Sequence, residues 1–374
     1  MSQSLTIQKK KGFLDYFPPP KFLEMPTIGV HISDTDIRFM ELVKSGDSFI
    51  IGKYGRRKLP PAVIEAGYLK NEANKEEVRK ILVSIKDQYK IKFINASLPE
   101  EKAYLFKTDI PAVSKKEIRS TLEFSLEENV PIPANNAVFD YSIIGDQLKN
   151  SNHYDVGVSV LPEDVVSGYM DLFTGAGLMP LSFEIEAQAM GRAVIDKGDK
   201  GAYLILNFEE FKTGLSVISD EVVQYASTVD MGGRALTEAI AKHFSVSVDE
   251  AEKIKKEKGF LRDKKDTKLF FSLMDSIAPL KNEIVKVLTY WKTRQDKEGN
   301  TNRKLEKIIL CGKNSSLAGF DEFLSYYTKM QVEVANPWIN VFNIDDYIPP
   351  IGALDSLDYA TVIGLAMPKD EFSF

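Results

Sequence analysis

The stretch TIGVHISDTDIRFMELVKSGD, residues 27–47, decides how this chain folds. Ile28, Val30 and Ile32 mark an apolar strand. Ser33-Asp34-Thr35-Asp36 is a short polar loop, residues 37–43 a second strand, and Ser45-Gly46 a tight turn. About halfway along, AYLILNFEEFKTGLSVISDE, from Ala202, repeats the design. Leu204 and Leu206 lead to Asn207, the loop Glu209-Glu210-Phe211-Lys212 follows, and a strand runs to a turn at Asp220-Glu221. Laid over each other, His31 meets Asn207, Phe39 meets Leu215 and Lys44 meets Asp220. A β-hairpin with a polar elbow, present twice, predicts two like-folded lobes whose elbows face one cleft.

At 374 residues the chain has room for two or more domains with cores of their own. With 44% hydrophobic and 27% charged residues it has an ordinary globular composition, and its net charge of -6 argues against a nucleic-acid surface. One cysteine, Cys311, excludes an internal disulfide and fits a reducing compartment. It follows Ile308-Ile309-Leu310 and reads as a small buried residue. His31, His153 and His243 lie far apart with no zinc-type spacing, so no metal site is expected. No run of 18 apolar residues and no secretory pattern occurs, which predicts a cytoplasmic location.

In chain order, residues 1–26 read as an extended tail. Lys9-Lys10-Lys11 and the aromatic stretch around Pro18-Pro19-Pro20 suit either a foot on an anionic membrane or a segment folded back on the body. A first lobe core is expected over 27–102, with a helix at 74–89 (Val78, Ile81, Leu82, Ile85 on one face) and a strand at 93–98. An α+β insert is expected over 103–182. In it, Ser114 and Glu117 form a capping box, Val130-Pro131-Ile132-Pro133 stops the helix, and Gly177 ends a second helix from 163. Residues 184–195 form a helix with the small-residue face Ala187 and Gly191, suited to a crossing between lobes. A second lobe core is expected over 200–235, completed by 303–352, with a helical subdomain over 236–302 in which Pro279 kinks or restarts a long helix. Residues 183–199 and 353–367 complete the first lobe.

Two elbows, a glycine turn near residue 312 and a final helix containing Gly364 are the parts of an actin-like cleft. The chain also resembles the PilM family of actin-like type IV pilus assembly proteins, relatives of FtsA. The resemblance rests on IGVHISDTDIRFMEL (28–42), EIRSTLEFSLEENVPIP (117–133), FEIEAQAMGRAVI (183–195), MGGRALTEAIA (231–241), AEKIK (251–255), IILCGKNSSLAGFDEFL (308–324), VANPW and DYATVIGLAM. It implies an α/β, actin-like ATPase fold of two duplicated lobes around a cleft, with an inserted small α+β subdomain. It further implies a cytoplasmic adaptor that captures the N-terminal tail of a PilN-like membrane protein beside that subdomain. Through that protein it would associate peripherally with the membrane and reach the inner-membrane platform and the motor ATPases.

ATP with magnesium is the cofactor this resemblance implies. The residues that would contact it are Ser33, Asp34, Thr35, Lys212 and Thr213, Glu252 and Lys255 toward the ribose, and Gly312 with Asn314. Against that stand the departures. His31 and Asn207 occupy the positions of the two carboxylates that organise hydrated magnesium and the attacking water, and Lys313 replaces a second glycine at the adenosine turn. Asp34, Glu209 and Glu210 add negative charge where a triphosphate would sit, which Lys212 and Lys313 partly offset. Glu252 and Lys255, three apart on a helix, read equally as a surface ion pair. No catalytic residue is assigned. Two other readings stay open: an active actin-like ATPase, and an FtsA-like filament former, whose usual amphipathic membrane helix the short acidic end 368–374 does not provide.

Overall fold

The computed structural model describes residues 27–65, 67–69, 71–144, 153–261, 267–294 and 303–368. The tail 1–26 and the acidic end 369–374 lie outside the described residues. The opening stretch forms β1 (Thr27–Ile32) and β2 (Asp36–Ser45), continued by β3 (Ser48–Lys58) into an antiparallel meander. The small ladder β4 (Ile64–Glu65) and β5 (Tyr68–Leu69) leads to the helix Glu72–Tyr89. Asn71 caps that helix by accepting the Asn74 amide at 2.9 Å. Its face of Val78, Leu82 and Ile85 is buried, and β6 (Phe93–Leu98) then pairs parallel to β1.

The insert holds β7 (Tyr104–Pro111), β8 (Ala137–Ile143) and β9 (His153–Pro162) in the order β7-β9-β8. The helix Lys115–Asn129 packs Ile118, Leu122 and Leu126 into the insert's own apolar cluster. Its capping box forms, with Ser114 Oγ donating to Glu117 at 2.7 Å. The insert ends sooner than the sequence suggests. The helix Glu163–Gly175 buries Val165, Tyr169, Leu172 and Phe173 in the first lobe's core, and β10 (Met179–Ile185) pairs parallel to β6. The expected boundary at 182 follows sequence order, whereas the apolar faces assign 163–185 to the first lobe.

The second sheet repeats the first. It comprises β11 (Ala202–Phe208), β12 (Thr213–Ser219), β13 (Val222–Val229), β14 (Lys307–Cys311) and β15 (Gln331–Val334). The strand orders are β3-β2-β1-β6-β10 and β13-β12-β11-β14-β15, a three-stranded meander with two parallel strands added on the same side. The alignment of the hairpins holds residue by residue. His31↔Arg38 recurs as Asn207↔Gly214, and Ile32↔Ile37 as Phe208↔Thr213. The helices Gly233–Phe244, Val248–Lys258, Thr267–Ser276 and Ala278–Thr293 cover the second sheet, and Pro279 restarts the helix rather than kinking it.

One further correction concerns residues 335–352, expected in the second lobe. Trp338, Val341, Phe342 and Ile351 join the apolar cluster shared by the first lobe and the inner face of the second sheet, and the segment is tied to the first lobe: Val341 accepts the Phe49 amide of β3 at 3.1 Å and Asn340 donates to the Arg192 and Ile195 carbonyls. The chain thus crosses back after β15. The helices Glu186–Val194 and Ala360–Ala366 of the first lobe cross, and Glu186–Val194 also touches the second sheet. A Cβ on Gly364 would lie 1.7 Å from the Ala189 carbonyl oxygen, and one on Gly191 would lie 2.1 Å from Ile218 Cδ1.

Candidate functional site

The two elbows face each other across the lobes. In the first, Ser33 donates its amide to the Asp36 carbonyl at 2.9 Å, and its hydroxyl accepts the amides of Thr35 and Asp36 at 3.3 and 3.2 Å. These donors are spent inside the turn. In the second, the carbonyls of Glu209 and Glu210 accept the amides of Gly233 and Arg234 at 2.9 and 2.8 Å. Those are the first amides of the helix Gly233–Phe244, a place where helices often hold phosphates. The elbow backbone already occupies it.

Charged side chains join the elbows. Arg38, on β2 and 1% exposed, presents both terminal nitrogens to the Glu209 carboxylate at 3.1 and 3.2 Å. It also donates to the Asp358 carbonyl at 2.6 Å and pairs with Asp36 at 2.7 Å. Arg56 holds the other side of Asp36 at 2.7 Å and reaches Asp358 at 2.9 Å. Burial opposes ionisation of Glu209 and Asp36, yet Arg38, joined at Asp36 by Arg56, holds both below the usual carboxylate range. From the second elbow, Lys212 spans the gap to Asp34 at 3.2 Å and Glu101 at 2.7 Å.

Between these bridges lies a cavity of about 30 Å³, room for one or two waters. Among its lining residues are the carboxylates Asp34, Glu100, Glu101, Glu186, Glu209 and Glu210, and a single cation, Lys212. Burial, opposed by Lys212 and reinforced by Glu101, pushes Glu186 up to about 8. Burial and the Glu186 charge push Glu100 well above the carboxylate range, and Glu100 Oε1 has no partner. His31 is buried at the first elbow against Ser97 Oγ at 2.7 Å, and burial together with Arg38 lowers it to about 4. It is a neutral imidazole at pH 7.

The model of the type IV pilus assembly protein PilM matches residues 29–370. The chain belongs to the PilM family. The solved structure of a PilM–PilN type IV pilus biogenesis complex is similar at TM-score 0.72 and 18% identity, covering 91% of this chain and 98% of that one. The ethanolamine utilization protein EutJ from Carboxydothermus hydrogenoformans is similar at TM-score 0.50 and 15% identity, covering 92% of this chain and 89% of that one. MreB5 of Spiroplasma citri, solved with ADP, is similar at TM-score 0.51 and 12% identity, covering 84% and 93%. The fold is the actin-like ATPase fold.

Within this PilM-family cleft the sequence-derived residues separate into groups. Ser33, Asp34, Thr35 and Lys212 do line the cavity, with His31 and Asn207 beside them. Thr213 does not. It is fully buried on the inward side of β12 and donates to the Met231 carbonyl at 2.6 Å, so its hydroxyl closes a turn. Glu252 and Lys255 are not the surface pair that helix spacing suggests. Lys255 is 1% exposed and meets Glu252 at 2.8 Å, Asn314 Oδ1 at 3.0 Å and the Gly233 carbonyl at 3.2 Å. Asn314 is in turn turned inward, donating to the Glu209 carbonyl at 2.9 Å. Gly312 has φ +85° and lies so close to Asn207 that a Cβ would sit 2.7 Å from its Oδ1. Lys313 extends toward Glu210 at 3.5 Å.

Arg38, Arg56, Asp36, Glu100 and Glu186 were not singled out from the sequence. Asp36 and Arg38 did carry a signal: opposite charges two apart in a strand share one face. In an apolar strand that pair calls for partners.

Proposed function

We propose that this PilM-family chain is an adaptor rather than an ATPase. It takes up the N-terminal tail of a PilN-like membrane protein in a groove beside the β7–β9 insert. From the cytoplasmic face of the membrane it links the inner-membrane platform to the pilus motor ATPases. The proposed division of labour keeps the two lobe cores as a rigid frame, the insert as the tail-binding unit and the helices over 236–302 as a buttress. Among the described residues no helix is long and apolar enough to cross a membrane, and the proposed membrane association runs through the partner.

The observation that carries this reading is the state of the cleft. ATP with magnesium does not fit the residues present. Lys212 is engaged by Asp34 and Glu101, the amides of Thr35 and Asp36 close their own turn, and six carboxyl groups line a space of about 30 Å³, with burial pushing Glu100 and Glu186 toward the neutral acid. Each like-charge contact at 4 Å would cost about 4 kcal/mol in a partly desolvated site. Lys255 donates to Asn314 Oδ1 and to the Gly233 carbonyl, so its ammonium is already engaged within the protein. The similar solved structure contains a PilN partner, which favours tail capture over filament formation.

The test is fluorescence anisotropy with a labelled N-terminal peptide of the PilN-like protein from the same genome. Saturable one-to-one binding is expected. A flat titration to high micromolar protein would remove the adaptor reading.

A further inference from the structure

The lobes of a cleft protein stay closed only if something bridges them. Here the bridge is made by the chain itself. Arg38 belongs to the first sheet and Glu209 to the elbow after β11 in the second, and their contact is two-pronged, with the guanidinium buried and the carboxylate partly so. A guanidinium matches a carboxylate's two oxygens in one plane, which fixes orientation as well as distance. Arg38 is braced from behind by Asp36 and by the Asp358 carbonyl, and Asp36 and Asp358 are held by Arg56. The residue at the matching place of the second hairpin is Gly214, so the arginine is no requirement of the hairpin itself.

We infer that Arg38 is a built-in latch, holding the two lobes closed on each other through Glu209. The inference deepens the adaptor reading: the surface offered to a tail peptide is pre-organised because the frame behind it does not open. Lys212 is the second strand of the latch, since it ties the opposite elbow to Asp34 and Glu101. Removing Arg38 frees Glu209 and leaves a carboxylate that repels the acid-rich wall opposite.

The test places spin labels at Lys80→Cys and Lys242→Cys, exposed positions on helices of the two lobes, with Cys311 buried and left in place. Interlobe distances are measured in the full chain by pulsed dipolar spectroscopy. The parent should give one narrow distance. Arg38→Met should shift it outward by several ångströms, and Arg38→Lys, which keeps the charge but not the fork, should give a mixture of both distances. If Arg38→Met does not fold, Arg38→Met with Glu209→Gln leaves no unpaired carboxylate at that position and is read instead. An unchanged narrow distance in the folded variants overturns the latch. Tail anisotropy on the parent separates the two ideas: absent tail binding with an Arg38-dependent distance sinks the adaptor and keeps the latch.

Discussion

Glu186→Gln should make the protein more stable at alkaline pH and leave it unchanged in acid. Glu186 opens the helix Glu186–Val194, lines the acidic cavity and titrates at about 8, against an ordinary value near 4.5. Burial is the main cause, with Glu101 and Glu209 adding repulsion and Lys212 opposing it. The sign follows from proton counting. Between pH 4.5 and 8 the unfolded chain has released this proton and the folded chain keeps it, so unfolding gains ground as pH rises. Each unit of difference is worth about 1.4 kcal/mol, which sets a ceiling of about 5 kcal/mol. Because the side chain is half-buried and partly screened, about 2–3 kcal/mol is the expected loss by pH 8. Glutamine has nothing to titrate and also relieves Glu100, its carboxyl neighbour in the cavity. Thermal melts of both proteins from pH 5 to 8.5 should coincide near pH 5 and diverge by several degrees at pH 8, the variant melting higher. Parallel curves over the whole range would refute the reasoning.

Two smaller perturbations probe the packing. Gly364→Ala should cost about 3 kcal/mol, because its methyl meets the rigid Ala189 carbonyl, whereas Gly191→Ala, which meets only the rotatable end of Ile218, should cost about 1 kcal/mol or less. Equal melting shifts for the two would contradict the crossing. Lys255→Met keeps the apolar stem and removes the donor to Asn314 and the Gly233 carbonyl, and should cost about 2–3 kcal/mol in chemical denaturation. A neutral result there would restore the surface-pair reading.

How legible the molecule was depended on which physical signal each residue carries. The duplicated hairpin was readable because polar elbows punctuate apolar strands in both halves, and the observed registers repeat that alignment pair for pair. The capping box at Ser114 and the restart at Pro279 are local chemistry and were readable for the same reason. Tertiary assignment was harder. β10 carries Pro180 and exposed Met179 and Leu181, so its sequence does not look like a strand, though it completes the first sheet. The return of 335–352 to the first lobe depends on Trp338 and Phe342 finding a core that no local pattern names. The hairpin pattern places the elbow residues at the cleft, whereas burial, which no local pattern gives, decides where the other polar side chains lie. Thr213 and Lys255 have polar side chains that point inward, and Arg38 acquires meaning only when Glu209 arrives from the other lobe.

We propose an actin-like cleft that is closed by the protein's own charges and carries out no phosphoryl transfer. Phosphate release from ATP with magnesium by the full chain tests this most directly. The expected result is no release above the buffer rate at any nucleotide concentration. Saturable release that disappears when Lys212 is changed to alanine would contradict it.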